Sequence, residues 1–406
     1  MTAEPQFDVV VIGGGPAGSA TALRLSRLGR RVALIDRDCF PRDKPCSEYM
    51  SPETVRQLAA LGVLDSIDRA GGAALDGTRV VGPLGSWLVG RFAEAGGTPF
   101  RTTGLGLART VLDATLLQAA RDAGALVHEG ITARELSRDA TGAICGVRGH
   151  DAHGAPFALS SRVVVGADGL GSMVARRAGL HRRGRLRRVA FVAHVSGVQD
   201  LSATTELHVG RQGYVGLNAL GGDVANVAVV VPADVATQAR GDTTAFFAAQ
   251  VAQVPGIRDR VDVRNIVREV LVTGPFDAMS RRSTIDGALL VGDAADFFDP
   301  FTGEGICSAL RGAALAADAL DEALHHGGTI TMRRLRGYRA ARRRAFLGKW
   351  VVERMIGYGM LAPALFDRAI ERLDRRGMAD TLIGVTGHFV SPWRVLNPVF
   401  IAKMIA

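Results

Sequence analysis

An α/β fold is predicted, built from a Rossmann-like dinucleotide-binding lobe, a second, antiparallel β-sheet domain and C-terminal helices. Three observations predict it. Over residues 7–36 a buried-strand run, a Gly-x-Gly-x-x-Gly turn, a helix and a second strand follow one another. Two later apolar strands, 162–165 and 288–291, each run into a turn of glycine and aspartate. Between them, much of 189–275 alternates apolar and polar with a period of two, the mark of half-buried antiparallel strands.

The first unit is FDVVVIGGGPAGSATALRLSRLGRRVALID. Phe7 to Ile12 is the strand, and Gly13-x-Gly15-x-x-Gly18 follows at once. The first glycine permits the tight turn, the second lets backbone approach a pyrophosphate, and the third lets helix pack closely on strand. The helix N-terminus supplies unpaired N–H groups and a partial positive charge for phosphate. Asp36, eighteen residues beyond Gly18, ends the second strand and is placed to accept from ribose hydroxyls. Pro16 and Ala17 inside the turn and Arg37 after Asp36 complete the candidate cofactor residues here. NAD and FAD both use such a unit, so it alone leaves the cofactor open.

The second turn is Gly166-Ala167-Asp168-Gly169, and the third is Gly292-Asp293. Either aspartate is a ligand contact or a helix cap. An acid ending a parallel strand projects from the sheet edge where such folds bind ligands. After Asp293 come Pro300, which redirects the chain, and Gly303-Glu304-Gly305-Ile306, whose glycines allow backbone close to a flat ring. The helix that starts there would aim its positive end at the same ring.

The remaining elements follow in order. A helix over 51–62 is capped around Ser51-Pro52-Glu53. Residues 126–129, 131–137, 143–149 and 157–159 are expected as a β-meander. One helix, Thr243 to Val254, interrupts the second sheet, and 306–323 and 331–376 are helical. Val351, Val352, Met355, Ile356, Met360 and Leu361 are expected on one apolar face. Residues 1–70, 101–185 and 271–325 are assigned to the cofactor lobe, 71–100 and 186–270 to the substrate domain, and 326–406 to the C-terminal helices.

Composition narrows the function class. The formal net charge is +9, with arginines gathered at 182–188 and 333–344. No interleaved aromatics accompany them, which argues against nucleic acid. They form either a solvated basic face or a patch for peripheral membrane contact or an anionic substrate. Cys39, Cys46, Cys145 and Cys307 follow no metal spacing, so no metal is expected. With no secretory signal and no apolar run of 18 residues, a cytoplasmic protein with reduced thiols is expected, whether free or membrane-associated.

One nucleotide fingerprint with two separated strand-Gly-Asp turns resembles the FAD-binding lobe of para-hydroxybenzoate hydroxylase-like flavoproteins. The resemblance implies FAD, with Gly13, Gly15, Gly18 and Asp36 on its ADP half. Arg109, in LARTVLDATLLQAA, stands at that family's Arg-x-x-Leu-Asp position and would contact the flavin side. Asp168, with Gly169, would lie near the pyrophosphate. Gly292 and Asp293 would meet pyrophosphate or ribityl hydroxyls.

Within the superfamily, DKPCSEYMSP and PFTGEGICSALRGAALAA resemble segments of geranylgeranyl reductase-like enzymes. That implies reduction of a C=C bond or quinone-like group on a hydrophobic prenyl-lipid or polyketide-type substrate. Cys46, Glu48 and Tyr49 become candidate catalytic residues. Cys46 would shape the flavin site or relay a proton; Glu48 and Tyr49 would orient substrate or cap the following helix. GYVGLNAL at 213–220 departs from the family's Gly-Tyr-Gly-Trp-x-x-Pro, so a substrate other than a geranylgeranyl lipid is expected, and Tyr214 and Asn218 are candidate cavity residues. His194 and His208 are expected as satisfied sheet histidines. The alternative activity is an NAD(P)H-dependent flavin monooxygenase hydroxylating an aromatic or polyketide substrate. Halogenation is disfavoured, because the Trp-x-Trp-x-x-Pro of halogenases is absent. No separate nicotinamide domain is visible, so NAD(P)H would bind transiently or a protein would donate electrons.

Overall fold

The computed structural model describes residues 6–405. Its main sheet has the strand order expected of a dinucleotide-binding lobe. Phe7–Ile12 lies at its centre, parallel to Val32–Ile35 on one side and to Pro156–Gly166 on the other. Ala288–Leu290 pairs parallel with Pro156–Gly166 beyond. All four runs are rich in Val, Leu and Ile because both faces are covered. Helices Pro16–Arg27, Arg109–Asp122 and Gly305–Leu324 pack on one face. Ile144, Val147 and Val174 pack on the other.

The expected four-part meander is corrected at its first member. Leu126–His128 pairs parallel with Val32–Ile35 and so belongs to the main sheet. Only Thr132–Arg138, Ile144–His150 and Pro156–Gly166 form the antiparallel ribbon, and the last is one continuous strand of 11 residues. Its outer half is half exposed and its inner half buried, which made it look like two strands in sequence.

The second sheet has seven strands, with Ile266–Thr273 and Trp87–Arg91 at its edges. It is antiparallel except where Thr204–Val209 runs parallel to Gly77–Val81. One face packs on helix Thr243–Ala252 through Phe246, Phe247 and Val251. The other faces the cofactor lobe and the C-terminal helices. A small sheet of Tyr49–Met50, Gly104–Gly106 and Ala73–Leu75 lies between the two large ones.

The predicted helix over 331–376 is two helices, Arg336–Gly359 and Pro363–Arg375, broken before a proline at the second helix's first turn. Its expected apolar face splits. Val352 and Met360 are buried, Met355 and Ile356 line a cavity, and Val351 and Leu361 are exposed. Helices Ala379–Thr386 and Pro398–Ile405 complete the chain.

Gly18 shows how tightly the first helix sits on its strand. A Cβ there would stand 1.8 Å from the Gly13 carbonyl oxygen. Gly18→Ala is therefore expected to destabilise by about 1–3 kcal/mol through forced separation of helix and turn. A thermal melt of the purified variant checks it; an unchanged midpoint would show that the turn relaxes freely.

Candidate active site

One cavity of about 1190 Å³ runs between the two large sheets to the C-terminal helices. It gathers most of the sequence-predicted residues. Gly13, Gly15, Pro16, Ala17, Asp36, Arg37, Cys46, Tyr49 and Arg109 line it, as do Asp168, Gly169, Asp293, Pro300, Gly303, Gly305 and Ile306. Tyr214 and Asn218 lie on its sheet wall. Gly18, Glu48, Gly292 and Glu304 stand behind the wall.

Two helices of the cofactor lobe begin at this wall without help from side chains. Pro16–Arg27, with Gly15 as its N-cap, and Gly305–Leu324, with Glu304, have no side-chain cap and no acid in the first turn. Their leading N–H groups are thus available to an anion. A Cβ at Gly15 would meet only Arg42 and Arg109 nitrogens, at 3.6 and 3.8 Å, so its open side faces the cavity and its cations. Asp36 holds the turn, taking the Gly14 N–H at 2.5 Å and the Asp38 N–H at 2.9 Å.

The three predicted aspartates differ. Asp168 acts as a cap: it accepts from Ser172 Oγ at 2.5 Å and from the Met173 and Val174 N–H groups at the start of helix Met173–Arg177. Burial pushes its carboxyl up, against those bonds. Asp293 takes no side-chain hydrogen bond among the described residues. Burial raises it, while Lys44, Arg109 and Lys349 pull it back down. Burial in turn lowers the Lys44 ammonium, helped by Arg42 and Arg109. Lys44 and Arg42 line the cavity and were not singled out from the sequence, although both flank the Pro-Cys segment.

Arg109 makes a two-pronged pair with Asp113, at 2.8 and 2.7 Å, and Arg42 reaches the same carboxylate at 3.0 Å. Desolvation opposes the Arg109 charge, but Asp113 and Cys46 more than restore it, so the guanidinium is held above its ordinary value. Cys46 Sγ also accepts the Glu48 N–H at 3.3 Å.

Glu48 is the main correction. It neither caps the helix, which Ser51 does by accepting the Thr54 N–H, nor reaches the cavity. Its backbone is left-handed, with φ 58°, and its side chain is fully buried. One carboxylate oxygen takes the Arg109 N–H at 2.7 Å. The other takes His194 Nε2 at 2.5 Å and Asn226 Nδ2 at 2.8 Å. Asn226 also donates to the Cys46 carbonyl at 2.8 Å. His194 is thus a satisfied sheet histidine whose partner is Glu48, while His208 is satisfied by Glu206 at 2.8 Å.

The loop after Asp293 is held from below. Asp299, missed in the sequence, accepts from Arg188 Nη1 at 2.9 Å, Tyr214 Oη at 2.8 Å and the Phe301 N–H at 3.0 Å. Tyr214 spends its hydroxyl there, so the cavity receives its ring. The Asn218 side chain donates to the Ala219 carbonyl at 3.3 Å. Gly303 has φ 70°, and a Cβ would lie 2.6 Å from the Tyr49 ring, so no other residue fits. Burial pushes Glu304 up to about 8 although Ser51 Oγ donates to it at 3.1 Å.

The sequence matches the family described as FAD binding domain over residues 6–352. The chain belongs to that family. This flavoprotein is 30% identical over 347 residues to digeranylgeranylglycerophospholipid reductase 1 of Methanothermobacter thermautotrophicus, covering 82% of this chain and 81% of that protein. It is 30% identical over 384 residues to menaquinone reductase of Mycobacterium tuberculosis, covering 86% and 85%. Its fold is similar to the flavoprotein/dehydrogenase of Cytophaga hutchinsonii (TM-score 0.84, 18% identity, 97% and 95% covered) and to flavin-dependent brominase Bmp2 (TM-score 0.80, 21% identity, 98% and 99% covered). At those identities the structures speak for fold alone. The flavoprotein is an FAD-dependent oxidoreductase of the para-hydroxybenzoate hydroxylase-like superfamily.

The wall fits the cofactor. It offers uncapped helix N-termini and Arg42, Lys44 and Arg109 for a pyrophosphate, and an uncommitted Asp293 carboxylate for hydroxyls.

The Glu48 contacts set a pH dependence. Burial pushes the carboxyl up, but His194, the Arg109 N–H and Asn226 outweigh it and leave it below its ordinary 4.5. A lowered carboxylate stabilises the fold above its unfolded value, and that stability is lost as pH falls through the folded one. Wild type is expected to lose stability progressively below about pH 4.5. Glu48→Gln should flatten that part of the curve and cost about 1–3 kcal/mol at pH 7. Denaturant unfolding at pH 7, 5 and 4 measures both, and an acid limb unchanged in the variant refutes the assignment.

Proposed function

We propose that this flavoprotein reduces a conjugated C=C bond or quinone-like group on a hydrophobic substrate of prenyl-lipid or polyketide type. One observation carries the reading: charge is segregated along the cavity. Every charged lining residue comes from the cofactor lobe, among them Arg42, Lys44, Arg109 and Asp293. The second sheet and the C-terminal helices contribute none; they offer residues such as Val80, Leu88, Val192, Leu207, Phe366 and Met404. A long apolar chamber beyond a charged one suits a lipophilic substrate, since desolvating a charged group there would be costly. The relatives named as reductases of a geranylgeranyl lipid and of menaquinone act on molecules of this kind.

FAD, when bound, supplies the hydride equivalent. The chain's own groups then have separate tasks. Gly303 and Gly305 bring backbone to the cavity wall, and the uncapped start of helix Gly305–Leu324 favours negative charge there. Arg109, fixed by Asp113, keeps a permanent cation beside Cys46. Cys46 and Tyr49 line the cavity, and Cys46 is the candidate proton relay to substrate. Glu48 positions Cys46 and does not touch substrate. NAD(P)H is the proposed donor, bound transiently, since no separate nicotinamide domain stands among the described residues.

The test is an anaerobic titration of the yellow protein with NADPH and NADH, then a prenylated naphthoquinone as acceptor. Reduced product formed without O2 is expected. A product that requires O2 and gains an oxygen atom would replace the reductase reading with the monooxygenase one. No reduction by either nucleotide would point to a protein donor.

Two variants test the residues. Asp293→Ala removes a charged acceptor and should weaken FAD retention roughly ten- to hundredfold with the fold intact, measured by flavin-to-protein absorbance after dialysis. Normal stoichiometry would remove Asp293 from the site. Cys46→Ser should slow turnover with FAD retained, and unchanged kinetics would reduce Cys46 to packing.

A further inference from the structure

The apolar chamber reaches the surface at a face built by the C-terminal region from about residue 358 onward and by one hairpin. Leu365 and Ile405 both line the cavity and are 52% and 54% exposed, so they mark its mouth. The same C-terminal region leaves further large apolar side chains in water. Tyr358, Leu361, Trp393 and Val399 are 45–64% exposed. Helix Pro363–Arg375 is amphipathic, with Phe366, Ile370 and Leu373 toward the chamber.

Leu84 makes this arrangement hard to dismiss as incidental. It is 62% exposed at the tip of the hairpin joining Gly77–Val81 to Trp87–Arg91. Asp367, on the second turn of helix Pro363–Arg375 and 6% exposed, holds that tip rigidly. Its carboxylate accepts the Leu84 N–H at 2.9 Å, the Ser86 N–H at 3.1 Å and Ser86 Oγ at 2.5 Å. A buried acid is thus committed to presenting a leucine to solvent beside the mouth. In water that presentation gains nothing.

Charge around the same helices favours one occupant. Arg368, Arg375, Arg376, Arg394 and Lys403 are exposed, against the exposed acids Glu371 and Asp374. No helix among the described residues is long and apolar enough to cross a membrane. Apolar side chains rimmed by cations are the composition of a surface that lies in a bilayer interface.

We propose that this face docks on an anionic phospholipid bilayer, with Leu84, Leu361 and Leu365 in the acyl boundary and the cavity mouth open to it. The substrate then enters from the lipid and the charged end of the cavity stays on the aqueous side. The inference rests on the apolar-substrate reading but has a readout independent of catalysis.

The test is flotation of FAD-loaded full-length protein with vesicles of phosphatidylcholine containing phosphatidylglycerol, and with phosphatidylcholine alone. Wild type should float with the anionic vesicles, more weakly at high ionic strength, and less with the neutral ones. Leu84→Asp with Leu361→Asp, neither lining the cavity, should weaken partition by about tenfold or more at unchanged flavin stoichiometry. Arg368→Glu with Lys403→Glu should weaken binding to the anionic vesicles alone. Wild type left in the soluble fraction, as a surface made for an acidic protein would be, overturns the proposal. So does a leucine double variant that floats like wild type. If vesicle binding holds and a detergent-solubilised quinone is not reduced, the substrate reading fails and the docking stands.

Discussion

Glu48 is the constraint on which the two lobes depend. It sits in the segment between the nucleotide-binding unit and the first helix that follows, yet its partners come from three elements: the start of Arg109–Asp122, and the strands carrying His194 and Asn226. A fully buried carboxylate is tolerable only when its charge and lone pairs are met, and here three donors meet them. The same donors set the position of Cys46, through its carbonyl and Asn226, and of Arg109, through its N–H. The left-handed backbone at Glu48 turns the carboxylate away from the cavity while its neighbours Cys46, Ser47 and Tyr49 line it.

The cavity's division into a charged and an apolar part follows from the fold. The cofactor lobe ends its parallel strands in turns of small and acidic residues, and its helices start there, so polarity gathers at that edge. The second sheet buries alternate residues on each face, and the face turned to the cavity carries Val80, Val192, Leu207 and Val230. Arg268, opposite His194 and near Asp43 at 3.9 Å, and Arg188 are charged residues of the sheet on that side. Arg188 is consumed by Asp299, so its charge does not reach the chamber.

What was legible in the sequence was local. The Gly13–Asp36 unit, the late strand with Asp293 and the Ser51 cap each declare themselves within about 30 residues, because hydrogen bonding and chain reversal there are set by neighbours. The Glu48 to His194 contact spans 146 residues, and nothing in either segment names the other. The same holds for Asp299 and Arg188, 111 residues apart. Asp168 was ambiguous because a cap and a ligand contact demand the same residue at the same turn. The stretch 331–376 misled because Val351 and Leu361 have the spacing of a buried face, but only part of that face is covered.

Asp299 is the counterpart of Glu48 at the other side of the cavity. It ties the loop Pro300–Thr302 to the second sheet through Arg188 and Tyr214, as Glu48 ties the Cys46 segment through His194 and Asn226. Opening either connection strips a buried carboxylate of its donors, which costs about 1–3 kcal/mol or more. The wall at the C-terminal end is held differently. Helix Pro398–Ile405 has no buried residue and packs through half-buried Phe400, Ile401 and Met404. Few buried contacts mean a low cost of local opening. The C-terminal end is therefore the cheapest part of the described wall to open, and Leu361 and Leu365 stand exposed there.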